Sequence, residues 1–186
     1  MNKKRYLYLK LIGLFLFVIL GLGFAGLIFV SQLARGLPNP EQLTSRQISQ
    51  STKIYDRTGQ VLLYEIHGEE KRTIIPFDQI PDYVKKATLA VEDQNFYNHA
   101  SFDWRAIIRA IIVDIIHGKI VEGGSTITQQ LAKNAFLTPE RNITRKIKEL
   151  ILSYWIEQNY SKDEILNLYL NQIPYGANAY GIEAAA

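Results

Sequence analysis

The chain has no cysteine among its 186 residues. That excludes a disulfide framework and any thiolate-ligated metal site. Residues 1–35 hold no acidic side chain, and Leu11 to Ala34 hold no charged side chain of either sign. There is no internal repeat and no low-complexity tract. No Gly-x-x-x-x-Gly-Lys string occurs, so a nucleotide P-loop is excluded.

The uncharged run is long enough for a membrane crossing, which needs roughly 20 apolar residues. Lys3, Lys4, Arg5 and Lys10 precede it, and positive residues on that side place an N-terminus in the cytoplasm. A cleavable signal peptide is the alternative, but its apolar core usually spans about 7–15 residues. Ser31-Gln32-Leu33-Ala34-Arg35 is also a poor small-residue cleavage site. The expected organisation is a cytoplasmic tail over 1–10, a transmembrane signal anchor over 11–34, a stem over 35–53 and one extracytoplasmic domain over 54–186. The sequence pI of 9.0 does not imply nucleic acid. Five of the 21 basic residues and none of the 18 acidic ones lie in residues 1–35, leaving 16 against 18 elsewhere.

Gly36-Leu37-Pro38-Asn39-Pro40 breaks the anchor, because proline cannot continue a helix. Ile54-Tyr55-Asp56, Arg57-Thr58-Gly59-Gln60 and Val61 to Ile66 read as strand, turn and strand. Helical signals dominate after Pro81, which suits a first helical position in a segment reaching Glu92. A second, strongly apolar helix is expected from an Asp103 cap through Trp104 to a stop at Gly118. It is too short and too often interrupted by charge to be another span. Asn142 should cap a helix with an apolar stripe at Ile147, Leu150, Ile151 and Tyr154. Ser161 to Glu164 form a capping box opening another, with Ile165, Leu168 and Tyr169 on one face. A further helix starts near the C-terminus without a stop signal, which reads as a fragment of a longer chain.

Three blocks carry the chemistry. The first, Glu92-Asp93-Gln94-Asn95-Phe96-Tyr97-Asn98-His99, follows a mostly apolar stretch. A carboxylate there should be partly desolvated, which suits proton transfer near neutral pH. One histidine with two carboxylates, Glu92 and Asp93, also permits a metal reading, on weak grounds. The second block, Gly123-Gly124-Ser125-Thr126-Ile127-Thr128-Gln129-Gln130-Leu131-Ala132-Lys133-Asn134, combines glycines with neutral hydrogen-bonding side chains suited to phosphate or sugar. The third runs from Arg145-Lys146-Ile147-Lys148-Glu149 to Tyr169-Leu170-Asn171-Gln172-Ile173-Pro174-Tyr175-Gly176. Lys133, Arg141, Arg145, Lys146 and Lys148 form a basic cluster broken only by Glu140, able to meet a pyrophosphate leaving group. A solvated basic face, with Glu149 simply paired to Arg145, is the plainer reading.

In order and content the blocks resemble the peptidoglycan glycosyltransferase domain of penicillin-binding proteins, glycosyltransferase family 51, over about residues 50–186. Ser101 stands where that family usually has glycine. The resemblance implies a mainly α, lysozyme-like, two-lobed fold with a small β-hairpin behind one transmembrane helix. It implies polymerisation of lipid II into glycan strands, with Glu92 as catalytic base and Glu149 as a second essential carboxylate. Asp93, Ser125, Thr126, Thr128, Gln129, Gln130, Lys133 and Arg141 would bind substrate, Lys133 and Arg141 at the pyrophosphate. Phe96, His99, Arg145, Lys146, Asn171 and Gly176 would be structural. No cofactor is required and no dedicated metal site is expected, although the family often has a divalent cation (Mg or Mn) at the pyrophosphate. The expected partners are lipid II, a lipid-linked glycan strand, the bacterial plasma membrane and other cell-wall synthesis proteins, but no nucleic acid. The strand-turn-strand and the anchor lean toward a class A protein with a transpeptidase domain following. Two rivals are a lysozyme-type glycan-cleaving enzyme, which needs no pyrophosphate cluster, and a non-catalytic, membrane-tethered glycan-binding protein, which needs no Glu92.

Overall fold

The computed structural model describes residues 3–41, 43, 50–66, 68, 71–103, 108–109, 117, 124–140 and 142–186. Arg141, Gly123 and nearly all of the helix expected over 104–118 lie outside the described residues. The chain divides into two compact units, Met1–Leu37 and Pro38–Ala186.

The first unit is α1 (Lys3–Arg35). Its stretch Lys10–Arg35 has a mean hydropathy of 2.7 and buries none of its side chains. Among the described residues it is the one helix long and apolar enough to cross a membrane. A helix of this length and apolarity fits a membrane anchor.

The second unit is mainly helical. It opens with the expected hairpin, β1 (Thr52–Tyr55) antiparallel to β2 (Leu62–Ile66). Asp56 builds the turn. Its carboxylate accepts the Thr58 hydroxyl at 2.6 and 2.8 Å and the backbone N–H groups of Gln60 and Val61 at 3.1 and 3.2 Å. Gly59 supplies a φ of +74°, which a side chain would resist.

A second sheet was not anticipated. Its order is β3 (Lys71–Arg72), β5 (Ala179–Tyr180), β4 (Pro174–Gly176). β5 pairs parallel with β3 and antiparallel with β4. The link from β4 to β5 is a two-residue turn, with Ala177 and Asn178 at φ 48° and 60°, the backbone signature of a type I′ hairpin. Strands of two and three residues leave no periodicity to detect in a sequence.

The helices bounded by described residues are α2 (Asp82–Glu92), α3 (Ile127–Phe136), α4 (Ile143–Asn159), α5 (Lys162–Gln172) and the short α6 (Ile182–Ala185). Pro81 occupies the cap of α2, one position before the helix proper. Asn142 caps α4 by accepting the Arg145 N–H at 2.7 Å. Ser161 and Glu164 form the expected reciprocal box at α5.

The core lies where α3 packs against α4 and α5. Ile127, Leu131, Leu152, Ile156, Ile165, Leu166 and Leu170 are fully enclosed there. The stripe expected on α4 is displaced. The buried face carries Glu149, Leu152, Ser153 and Ile156, while Ile147, Leu150 and Ile151 are half-buried and Tyr154 is exposed. The helix turns a carboxylate inward, and a purely hydrophobic count cannot find that face. On α5, Leu166 and Leu170 join Ile165 and Tyr169 inside, and Leu168 is only half-buried.

α5 is tied to the segment before α2 by Asn171. Its side-chain amide pairs with the Ile75 backbone like a strand neighbour, accepting from N–H and donating to C=O at 3.0 Å each. Gly181, at φ +84°, passes so close that a Cβ would sit 2.6 Å from the Asn171 carbonyl oxygen.

Candidate active site

The three blocks meet around α3, the helix formed by the second block. Thr126 caps it, accepting the Gln129 N–H and donating to the Ser101 carbonyl, both at 3.3 Å. Gln129 Nε2 also donates to that carbonyl, at 3.1 Å. The position that departs from the family pattern therefore anchors the second block by its backbone, and Ser101 itself is buried.

Asp93 joins the first block to the second. Its Oδ2 accepts the N–H of Ile127, the first residue of α3, at 3.2 Å, and its Oδ1 meets His99 Nε2 at 2.7 Å. His99 Nδ1 faces the Ala100 carbonyl. Both ring nitrogens thus face acceptors, an arrangement that only the imidazolium satisfies fully. Burial opposes that charge, but the hydrogen bonds to Asp93 and Ala100 and the charge of Asp93 outweigh it, and the pKa of His99 is raised. Phe96 is fully buried, edge-on to Tyr97 and His99, with the Lys162 ammonium 4.5 Å from its ring centre.

Glu92 is not desolvated, contrary to its apolar flank. α2 buries none of its residues, Val91 is 82% exposed, and Glu92 lies on the surface. One oxygen, Oε2, accepts from Gln130 Nε2 at 2.6 Å, and Gln130 Oε1 accepts from the Tyr169 hydroxyl at 3.2 Å. Glu92 Oε1 receives no hydrogen bond from the described residues. Burial, with the Glu92 charge second, pushes the Tyr175 phenol up to about 12.

Glu149 is paired with Lys146 rather than with Arg145. Its side chain is 4% exposed. The Lys146 ammonium donates to Glu149 Oε1, to Ser125 Oγ at 2.9 Å and to Gln129 Oε1 at 3.0 Å. Arg145 Nε is buried with no hydrogen-bond partner among the described residues. Thr128, also buried, donates to Glu157, which Lys162 meets at 2.8 Å. Lys133 is half-buried, three residues beyond Gln130 on α3, a spacing that places the two on one helix face. Asn171 and Gly176 stand away from these contacts, the first in the Ile75 pairing and the second at φ +100° ending β4.

Among the described residues, Asp93, His99 and Asp103 each offer a ligand atom within 4.8 Å of the others. Glu92 is not in that group. Both Asp93 oxygens already hold neighbours in place, His99 and the Ile127 N–H, which is a positioning role.

A buried hydrogen-bonded helix start beside an exposed, singly tethered carboxylate defines a polar site built on one helix. Residues 59–186 match the family model described as Transglycosylase, and the chain belongs to the transglycosylase family. It is 46% identical over 182 residues to penicillin-binding protein 1A of Aquifex aeolicus (strain VF5), covering 98% of this chain and 24% of that protein. It is 43% identical over 189 residues to penicillin-binding protein 1A of Rickettsia bellii (strain RML369-C), covering 100% and 23%. It is 41% identical over 187 residues to penicillin-binding protein 1F of Bacillus subtilis (strain 168), covering 99% and 25%. The chain thus spans about a quarter of the length of these curated relatives.

Proposed function

We propose that this protein is a peptidoglycan glycosyltransferase of cell-wall synthesis, which extends glycan strands from lipid II by inverting transfer. The observation that carries the reading is the tethering of Glu92. Gln130 holds one carboxylate oxygen at 2.6 Å, and the other faces no donor among the described residues. A general base needs a lone pair free to meet the proton it removes. Glu92 takes the proton of the N-acetylglucosamine 4-hydroxyl as that oxygen attacks the anomeric carbon of the donor. The bond from that carbon to the pyrophosphate oxygen breaks, and the electron pair leaves with the polyprenyl pyrophosphate.

Lys133, one turn along α3 from Gln130, and Arg141 stabilise the departing charge. Ser125, Thr126, Thr128 and Gln129 serve the substrate mainly by fixing the start of α3. Glu149 keeps Lys146 in place beside the site. A divalent cation would arrive on the substrate's pyrophosphate, and no step depends on it. The apolar helix α1 and the basic residues before it support a single-pass protein with its N-terminus in the cytoplasm and its site outside. Lipid-linked substrate and product give that anchor a chemical purpose.

The test is strand synthesis from lipid II by the full-length protein. Glu92→Gln keeps shape and removes basicity, and turnover should fall about 10²–10⁴-fold with the fold intact. Turnover near wild type would end the assignment.

A further inference from the structure

We propose that Tyr169 is a positioning residue for Glu92, acting through the Gln130 amide. The proposal rests on Glu92 as the base. Three helices contribute one side chain each. Tyr169 of α5 is 2% exposed and presents its hydroxyl to Gln130 Oε1 at 3.2 Å. Gln130 of α3 presents Nε2 to Glu92 Oε2, at the end of α2, at 2.6 Å.

An amide can sit either way round, and its neighbours choose. A carboxylate only accepts, so it demands the NH₂ end of Gln130. The oxygen end then faces Tyr169, and because that oxygen only accepts, the phenol must donate. Burial, and then the charges of Glu92 and Tyr175, hold the Tyr169 pKa well above its ordinary value. The proton is therefore in place throughout any working pH range.

Glu92 needs such a fixture because little else restrains it. It ends a helix with no buried residue, and Gln130 is its one hydrogen-bond donor among the described residues. Without the Tyr169 hydroxyl the amide can rotate, and the base loses its fixed direction. The substrate still binds, but fewer bound complexes have the base aligned with the 4-hydroxyl. Loss of alignment lowers the chemical step itself.

The experiment measures lipid II polymerisation by full-length wild type, Tyr169→Phe, Gln130→Ala, the double variant and Glu92→Gln, with melting temperatures for each. Phenylalanine preserves the packed ring. Tyr169→Phe should lower kcat about tenfold, with KM changed less than about twofold, the pattern of an interaction that matters only in the transition state. The double variant should be no slower than Gln130→Ala alone, because the hydroxyl acts only through the amide. A wild-type kcat in Tyr169→Phe, losses that multiply in the double variant, or a loss explained by the unfolded fraction would each overturn the relay. If Glu92→Gln is inactive while Tyr169→Phe is unimpaired, the relay fails alone. If Glu92→Gln retains full turnover, the base assignment and the relay fall together.

Discussion

Replacing Lys146 with methionine removes an ammonium that gives hydrogen bonds to Ser125, Gln129 and Glu149 at once. The stem is kept and the charge is lost. Glu149, with a side chain 4% exposed, is then an uncompensated buried carboxylate. Breaking a buried ion pair from one side typically costs about 3–5 kcal/mol. Lys146 is itself 42% exposed, so water partly screens the pair and the expected loss is smaller, about 2–3 kcal/mol. For a domain of this size each kcal/mol lowers Tm by about 2–4 °C, which gives a drop of about 4–12 °C. The assay is thermal unfolding of the detergent-solubilised protein followed by far-ultraviolet circular dichroism. Adding Glu149→Gln to Lys146→Met should recover stability, because the stranded charge disappears, with a coupling of about 1 kcal/mol or more. The parallel cycle between Arg145 and Glu149 should show coupling below about 0.5 kcal/mol. Equal coupling in the two cycles, or a larger one with Arg145, would refute the assignment of the pair.

Two further outcomes follow from buried geometry. The raised pKa of His99 contributes stability that is complete below the unfolded histidine value and is lost as pH rises through the folded value. His99→Gln should flatten that alkaline fall in Tm measured as a function of pH, and an unchanged pH profile would count against the imidazolium. Gly181→Ala forces a side chain into φ +84° with its Cβ 2.6 Å from the Asn171 oxygen. The backbone strain alone is worth about 1–3 kcal/mol, so Tm should fall by at least about 2 °C, and a neutral result would show that the loop readily shifts.

Much of the fold was legible because its signals are local. The hairpin, the Asn142 cap and the Ser161–Glu164 box each depend on residues within a few positions of one another. The blocks offered the candidate residues, but the contacts among them were not legible. A sequence puts Arg145 and Lys146 equally within reach of Glu149, and only the packing of α4 against α3 turns Lys146 toward Ser125 and Gln129. The apolar residues before Glu92 suggested burial, yet α2 buries none of its residues and Glu92 stays exposed. Tyr169 read as part of the third block and as one residue of an apolar helix face, and neither reading reveals that its hydroxyl ends beside Gln130. The three short strands of the second sheet had no signal to find.

Gln129 and Gln130 are adjacent on α3, so their side chains leave the helix about 100° apart. One reaches the Lys146–Glu149 pair, the other Glu92. The two acids are therefore registered by a single peptide bond, and their relative setting cannot be tuned independently. A one-residue insertion between Ile127 and Gln129 would rotate both amides off their targets together, whereas a rigid slide of α3 would carry both along. Variation in this stretch should be all-or-nothing, with exchanges of side chain tolerated or not one at a time but changes of length never.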